Sequence, residues 1–288
     1  MTKIIPRDLI KHLEWKPGQA TAPIVNPAVQ SINTSQGVNF PDSPPESFLM
    51  SYDGPHADYF QELISKVNER FGGTRAEIPT GTSGEVQNMY AIKRMALVSA
   101  IVNNPSLQGQ EFYPITPMQD EFLLKASKLP DPSKYWEDLA LLLYDTNGNN
   151  PKEAQALKES IVQHRIDLGL SRNDLEKRLI IVGAGGEVDL SMPHGVKPII
   201  IPGITQVYAH EILNRIGENH KFEYGLDRGL PTFSEIGNGT RTLYMPSGDD
   251  IGLRVLYRSR DLYLFAWGRD LASSYGNGRV NFARSASP

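Results

Sequence analysis

Apolar residues recur at helical spacing through the first half of the chain and at strand spacing through its last third. Phe60, Leu63, Ile64, Val67 and Phe71 fall on one helical face, and Gly72-Gly73 ends that element. Met89, Ile92, Met95, Val98 and Val102 repeat the pattern until Asn103-Asn104-Pro105 stops it. A third helix is expected after Pro132-Ser133, carrying Trp136, Leu139, Ala140 and Leu143. A fourth starts at Pro151, a favoured first helical position, with Ala154, Leu157, Ile161 and Leu168 inward. Ser171 and Asp174 read as a capping box ahead of a short turn.

The period then changes. RLIIVGAGG (178–186) and KPIIIPG (197–203) read as short buried strands ending in glycine. One more helix is expected over 206–216, with Ala209, Ile212, Leu213 and Ile216 inward. Helices first and a mostly antiparallel sheet last predict an α+β fold. Ahead of everything lie Pro17, Pro23, Pro27, Pro41, Pro44 and Pro45, interleaved with Ile24, Val25, Val29, Ile32 and Val38. This predicts an extended proline-rich segment over residues 1–55, laid on the core of a domain covering 56–288.

Composition narrows the function. A net charge of −4 and a pI near 5.9 argue against a nucleic-acid binder held by phosphate contacts. No apolar run reaches membrane-spanning length, and the charged first residues lack the apolar stretch of a signal peptide. Zero cysteines exclude disulfides and thiolate chemistry.

Catalytic motifs fail on inspection. GAGGEV (183–188) has Val188 where a dinucleotide-binding turn needs its third glycine. His210-Glu211 lacks the second histidine of a zinc helix, since Asn214 stands there. Asp145-Thr-Asn147-Gly-Asn149 opens like a calcium loop, but Asn150 and Ala156 occupy its obligatory Gly and Glu positions. Ser83 in GTSGE lacks the second glycine of a nucleophile elbow. Neither a catalytic residue, nor a metal ligand set, nor a cofactor site is expected.

The tail is different. Among the first 245 residues are 13 Lys, 17 Glu, 11 Gln and 7 Met, while the 43 residues after Met245 contain none of these four types. Read as one strand, RVLYRSRDLYLFAW (254–267) places Arg258, Arg260, Leu262, Leu264 and Ala266 on one face. The other face carries Tyr257, Ser259, Asp261, Tyr263, Phe265 and Trp267. That second row mixes Ser, Asp, Tyr and Phe, which suits a recognition surface: rings supply rigid contact area and small polar groups adapt. Replacing Tyr263 and Phe265 with Ala is therefore expected to spare stability.

The block G-L-R-V-L-Y-R…L-x-L-x-A-W…L-A…N-G-R-V, near the C-terminus, resembles the variable region of target proteins of diversity-generating retroelements. It is most similar to the archaeal type described from Nanoarchaeota-like organisms. In that family a reverse transcriptase copies a template with errors at adenines. Randomised AAC or AAT codons cannot give Lys, Glu, Gln, Met or Trp. The resemblance covers about the last 40 residues.

It implies a variable region over about 254–280. The implied ligand-binding positions are Ser259, Asp261, Tyr263, Phe265, Gly268, Arg269, Asp270, Ser273, Ser274, Tyr275 and Asn277. Leu262, Leu264, Trp267, Leu271 and Arg279 would be fixed scaffold. The implied scaffold is a C-type lectin-like fold, with an antiparallel sheet, flanking helices and a helical insertion over about 105–177. Neither cysteines nor an E-P-N, Q-P-D or W-N-D calcium–sugar motif is present, so no sugar-binding expectation follows.

The implied function is recognition of a macromolecular ligand, a protein or cell-surface component, and such a role favours the cell surface or secretion. A surface or virion structural protein whose tail mediates assembly is the alternative. A formylglycine-generating enzyme, which shares the lectin-like scaffold, would demand cysteines or a metal site.

Overall fold

The computed structural model describes residues 46–108, 112–248, 250–268, 270–272 and 276–284. The proline-rich expectation therefore falls mainly on residues 1–45, outside the described residues. The first half of the described chain forms β1 (Ser47–Leu49), α1 (Ala57–Phe71), α2 (Ala91–Asn103), α3 (Pro105–Gln108), β2 (Phe112–Pro114), α4 (Pro117–Lys125), β3 (Trp136–Leu143) and α5 (Pro151–Gln163). Then come β4 (Leu179–Val182), β5 (Gly185–Val188), β6 (Val196–Ile199), β7 (Gln206–Ala209), β8 (Asn219–Phe222) and β9 (Arg241–Tyr244). The last strands are β10 (Leu253–Arg258), β11 (Leu264–Gly268), β12 (Gly278–Arg279) and β13 (Asn281–Arg284). The fold is α+β.

Its centre is an eight-stranded sheet in the order β7-β4-β3-β10-β11-β9-β8, with β12 pairing β3. The pairs are antiparallel apart from β11 with β9 and β12 with β3. On one face Leu141, Leu143, Ile181, Leu253 and Val255 pack with buried residues of α1, α2 and α5. On the other, Leu139, Leu142, Ile180, Leu256 and Leu264 pack with Leu213, Phe222 and Leu243. A smaller sheet, β1-β13-β2, joins the first and last described strands.

Two expected helices are strands. After the 3₁₀ turn Pro132–Lys134 the chain enters β3, because Leu139–Leu143 is buried on both faces of the sheet. A short run that is apolar all round carries no period to separate strand from helix. The 206–216 segment divides into edge strand β7 and a 3₁₀ turn at Glu211–Asn214, where His210 accepts the Ile212 N–H. The expected helical insertion over 105–177 is likewise corrected, since it contains β2 and the central strand β3.

Other expectations stand. α1 forms where the pattern placed it, α2 starts two residues after Met89, and α5 starts at Pro151 but ends at Gln163, short of Leu168; Ser171 with Asp174 makes the capping interactions ahead of a 3₁₀ turn. α2 is buried at every position from Ala91 to Ile101. It lies so close to β5 that a Cβ on Gly185 would collide with Ile201 and with Ser99. Ser99 also exchanges hydrogen bonds with Gly186, both 2.8 Å. Gly185 and Gly186 thus allow helix–strand contact, and Gly183 turns the chain between β4 and β5 at φ 69°, which gives each glycine of GAGG a structural role.

Candidate functional site

The tail is a hairpin rather than one strand. β10 ends at Arg258, residues 259–263 turn, and β11 returns with Tyr257 opposite Phe265. Ser259 closes the turn: its N–H donates to the Tyr263 carbonyl (2.9 Å), and its hydroxyl accepts the Tyr263 N–H (3.2 Å). Leu262 takes a left-handed conformation, φ 63°, to complete it. This corrects the two-face assignment. Ser259 is 1% exposed and belongs to the turn's hydrogen bonding, not to an open row.

The hairpin carries an aromatic array on the face where Val255 and Tyr257 meet the helical core. Tyr257 and Phe265 stack at 4.9 Å and 6°, and Phe265 stacks on Tyr244 of β9 at 4.6 Å and 11°. Trp136 of β3 meets Tyr257 at 5.3 Å, Trp267 lies 6.1 Å from Phe265, and Tyr263 lies 5.8 Å from Tyr244. All six rings are half-buried. Sequence reasoning missed Trp136 and Tyr244, because only sheet pairing brings them beside the tail. A strand reading of 136–143 was the signal needed for Trp136.

Of the other expected ligand positions, Asp261 and Asp270 are exposed, and Tyr263, Phe265, Gly268 and Asn277 are half-buried. Arg269, Ser273, Ser274 and Tyr275 lie outside the described residues. Gly268 has little room, since a Cβ there would sit 3.1 Å from the Val255 Cβ and 3.2 Å from the Tyr257 ring. Of the expected scaffold residues, Leu264 and Leu271 are fully buried, Arg279 nearly so, and Trp267 and Leu262 are half-buried.

Beneath the hairpin lies a charged network that the sequence did not announce. Arg258, entirely buried, donates from Nε to both Asp120 oxygens at 3.0 Å and reaches Glu137 at 3.5 Å. Burial alone would lower the Arg258 pKa; the Asp120 carboxylate beside it more than reverses this and raises it. Burial raises Glu137, Asp120 adds to that, and Arg94 and Arg258 oppose it. Glu137 also accepts the Asn281 N–H (2.8 Å). Nearby, Arg241 forks onto Glu121 with 2.6 and 2.7 Å hydrogen bonds.

These groups grip the tail by its backbone. Arg241 donates to the Leu262 carbonyl (2.7 Å), Arg254 to that of Trp267 (3.1 Å) and the Tyr144 hydroxyl to that of Ala266 (3.2 Å). Backbone N–H groups of Ile92, Trp136 and Met89 donate to the carbonyls of Leu271, Asn277 and Gly278. Such bonds do not depend on which side chains the tail carries.

Asp138, the cross-strand partner of Tyr257, is pushed up to about 7 by burial, with Arg94 and a hydrogen bond from Ala91 opposing. No helix among the described residues is long and apolar enough to cross a membrane. Comparison of the chain with protein-family models, with curated proteins and with solved structures yields no match.

Proposed function

We propose that this chain is a ligand-binding protein rather than an enzyme. Its binding surface is the β10–β11 hairpin with the loop after it, and that surface is diversified by retroelement adenine mutagenesis. The observation that carries the reading is the backbone grip. Six carbonyls between Leu262 and Gly278 are held by groups outside the hairpin or its loop, or by buried Arg254 at the hairpin's base, so side chains can change while the chain path stays. The variable positions that fit best among the described residues are Asp261, Tyr263, Phe265, Asp270 and Asn277. Ser259 and Gly268 fit least, because both sit where the backbone is tightly packed.

The C-type lectin-like scaffold belongs to the same proposal. In its favour are a C-terminal antiparallel hairpin, two long helices α1 and α2, and the pairing of β1 with β13 at the chain's two described ends. The ligand is read as a protein or cell-surface component, since half-exposed Tyr, Phe and Trp rings edged by acids are the chemistry of protein recognition.

Sequencing the DNA on either side of the gene tests this directly. The expected result is a near-copy of the stretch encoding 254–280, differing at adenines and lying beside a reverse transcriptase gene. Sister genes carrying Lys or Glu codons at Asp261, Tyr263 and Asp270, with no such copy, would sink the retroelement reading.

A further inference from the structure

Glu153 stands in the first turn of α5 with its side chain 1% exposed, and neither carboxylate oxygen has a hydrogen-bond partner. A carboxylate in that setting is costly unless a positive charge faces it. Facing it is His194, from the turn joining β5 to β6, with Nε2 3.8 Å from Glu153 Oε1. The same Nε2 lies 3.8 Å from Oδ1 of Asp270, on the loop after β11. His194 thus sits between a buried acid of the body and an exposed acid of the proposed ligand surface. Among the described residues no group, these three included, is arranged to hold a metal ion. A positively charged imidazole faces both acids without one, at ion-pair rather than hydrogen-bond distance.

We propose that His194, when protonated, bridges Glu153 and Asp270 and works as a pH-dependent clasp on the Asp270–Ala272 turn. The inference rests on reading this loop as part of the binding surface, and it adds a control of that surface's rigidity. Histidine is the side chain that ordinarily changes charge between about pH 5 and 8. The clasp is closed on the acidic side of the His194 titration and opens as pH rises through it. On opening, Glu153 and Asp270 lose the charge between them and the turn loses one of its ties to the body.

The remaining charges around His194 are placed differently. On its own turn, Asp189 is engaged with Ser191 (2.6 Å). From α5, Lys152 donates to the Ser191 carbonyl (3.2 Å). From the segment after α1, exposed Arg75 meets His194 through its backbone N–H, which donates to the His194 carbonyl (3.1 Å). On the α2 side, Tyr90 donates to the Arg75 carbonyl (2.7 Å), and Lys93 lies over the Tyr90 ring at 4.7 Å. Burial lowers Lys93 to about 8, with Glu77 opposing, so its titration at the top of the window is separated from that of His194 by mutation.

The Ile92 amide is a ready reporter. It stands at the start of α2, where an N–H has no intrahelical acceptor, and it donates to the Leu271 carbonyl at 3.1 Å. Hydrogen exchange at Ile92 and Ala272 would be followed from pH 5 to 8.5 by NMR on the full chain, corrected for intrinsic base catalysis. The His194 ring resonances would be recorded in parallel. In the wild type, protection at Ile92 should fall about fivefold as His194 titrates, the size of a partly exposed ion pair.

His194→Gln should be as weakly protected as the high-pH wild type at every pH. Asp270→Asn removes the negative charge of the exposed arm while keeping an Oδ1 to accept the Ala272 N–H (2.8 Å), so it keeps the test usable if His194→Gln misfolds, and it should likewise flatten the profile at Ile92. A His194 ring that does not titrate across this range, or wild-type protection that tracks both variants, would overturn the clasp. Neither result touches the retroelement reading, which the flanking DNA decides.

Discussion

Arg258 fixes the end of β10 in a place where no sequence pattern puts an arginine, inside the protein between Asp120 and Glu137. Removing it leaves buried Asp120 without its ion-pair partner and Glu137 with Arg94 alone as counter-charge. Arg258→Met should therefore cost about 3–5 kcal/mol in urea unfolding, despite preserving volume and apolar stem. A loss under about 1 kcal/mol would mean the network is not holding the hairpin. Asp138 makes a second residue-level prediction. Its carboxyl group titrates near 7 in the folded chain, above the ordinary aspartate value, so the folded state holds that proton more tightly than the unfolded state does. Stability from this site is complete below about pH 4 and is lost as pH rises toward 7. Asp138→Asn should flatten that decline and leave the variant about 2 kcal/mol more stable than wild type at pH 8. Equal pH profiles for the two proteins would refute the assignment.

At the scale of elements, the β10–β11 hairpin separates side chains on which stability depends from those on which it does not. Tyr263 stands at the rim of the aromatic array and Phe265 in the middle, stacked on both sides. Tyr263→Ala should change thermal stability little, by under about 1 kcal/mol. Phe265→Ala should cost about 1–2 kcal/mol, because two stacked neighbours lose their partner. The sequence expectation that both substitutions spare stability is thus revised for Phe265. Calorimetry giving equal, large losses would place Tyr263 in the core as well. The elements that the sequence predicted well, α1, α2 and α5, have an apolar period of their own and clear stops. β3 and β7 were misread because their apolar residues are short runs whose form is decided by neighbours: β3 is buried between two cores, and β7 adds to the edge of β4.

Across the whole molecule, sequence alone determined the α+β class, the three long helices and the place where the chain changes its residue alphabet. Those are local properties, set by side-chain periodicity, by Gly and Pro stops and by composition, and they need no partner to be legible. It also marked the tail as a candidate surface, with Asp261, Tyr263 and Asp270 among the positions left open to solvent or half-open. Tertiary structure alone decided that the tail is a hairpin, that Trp136 and Tyr244 join its aromatic face, and that Ser259 is buried. It alone brought Asp120, Glu121 and Glu137 to arginines more than a hundred residues away, and His194 to Glu153 and Asp270. The physical reason is the same in each case. Strand pairing and buried ion pairs join residues remote in the chain, and the energy of such contacts resides in neither partner's local sequence.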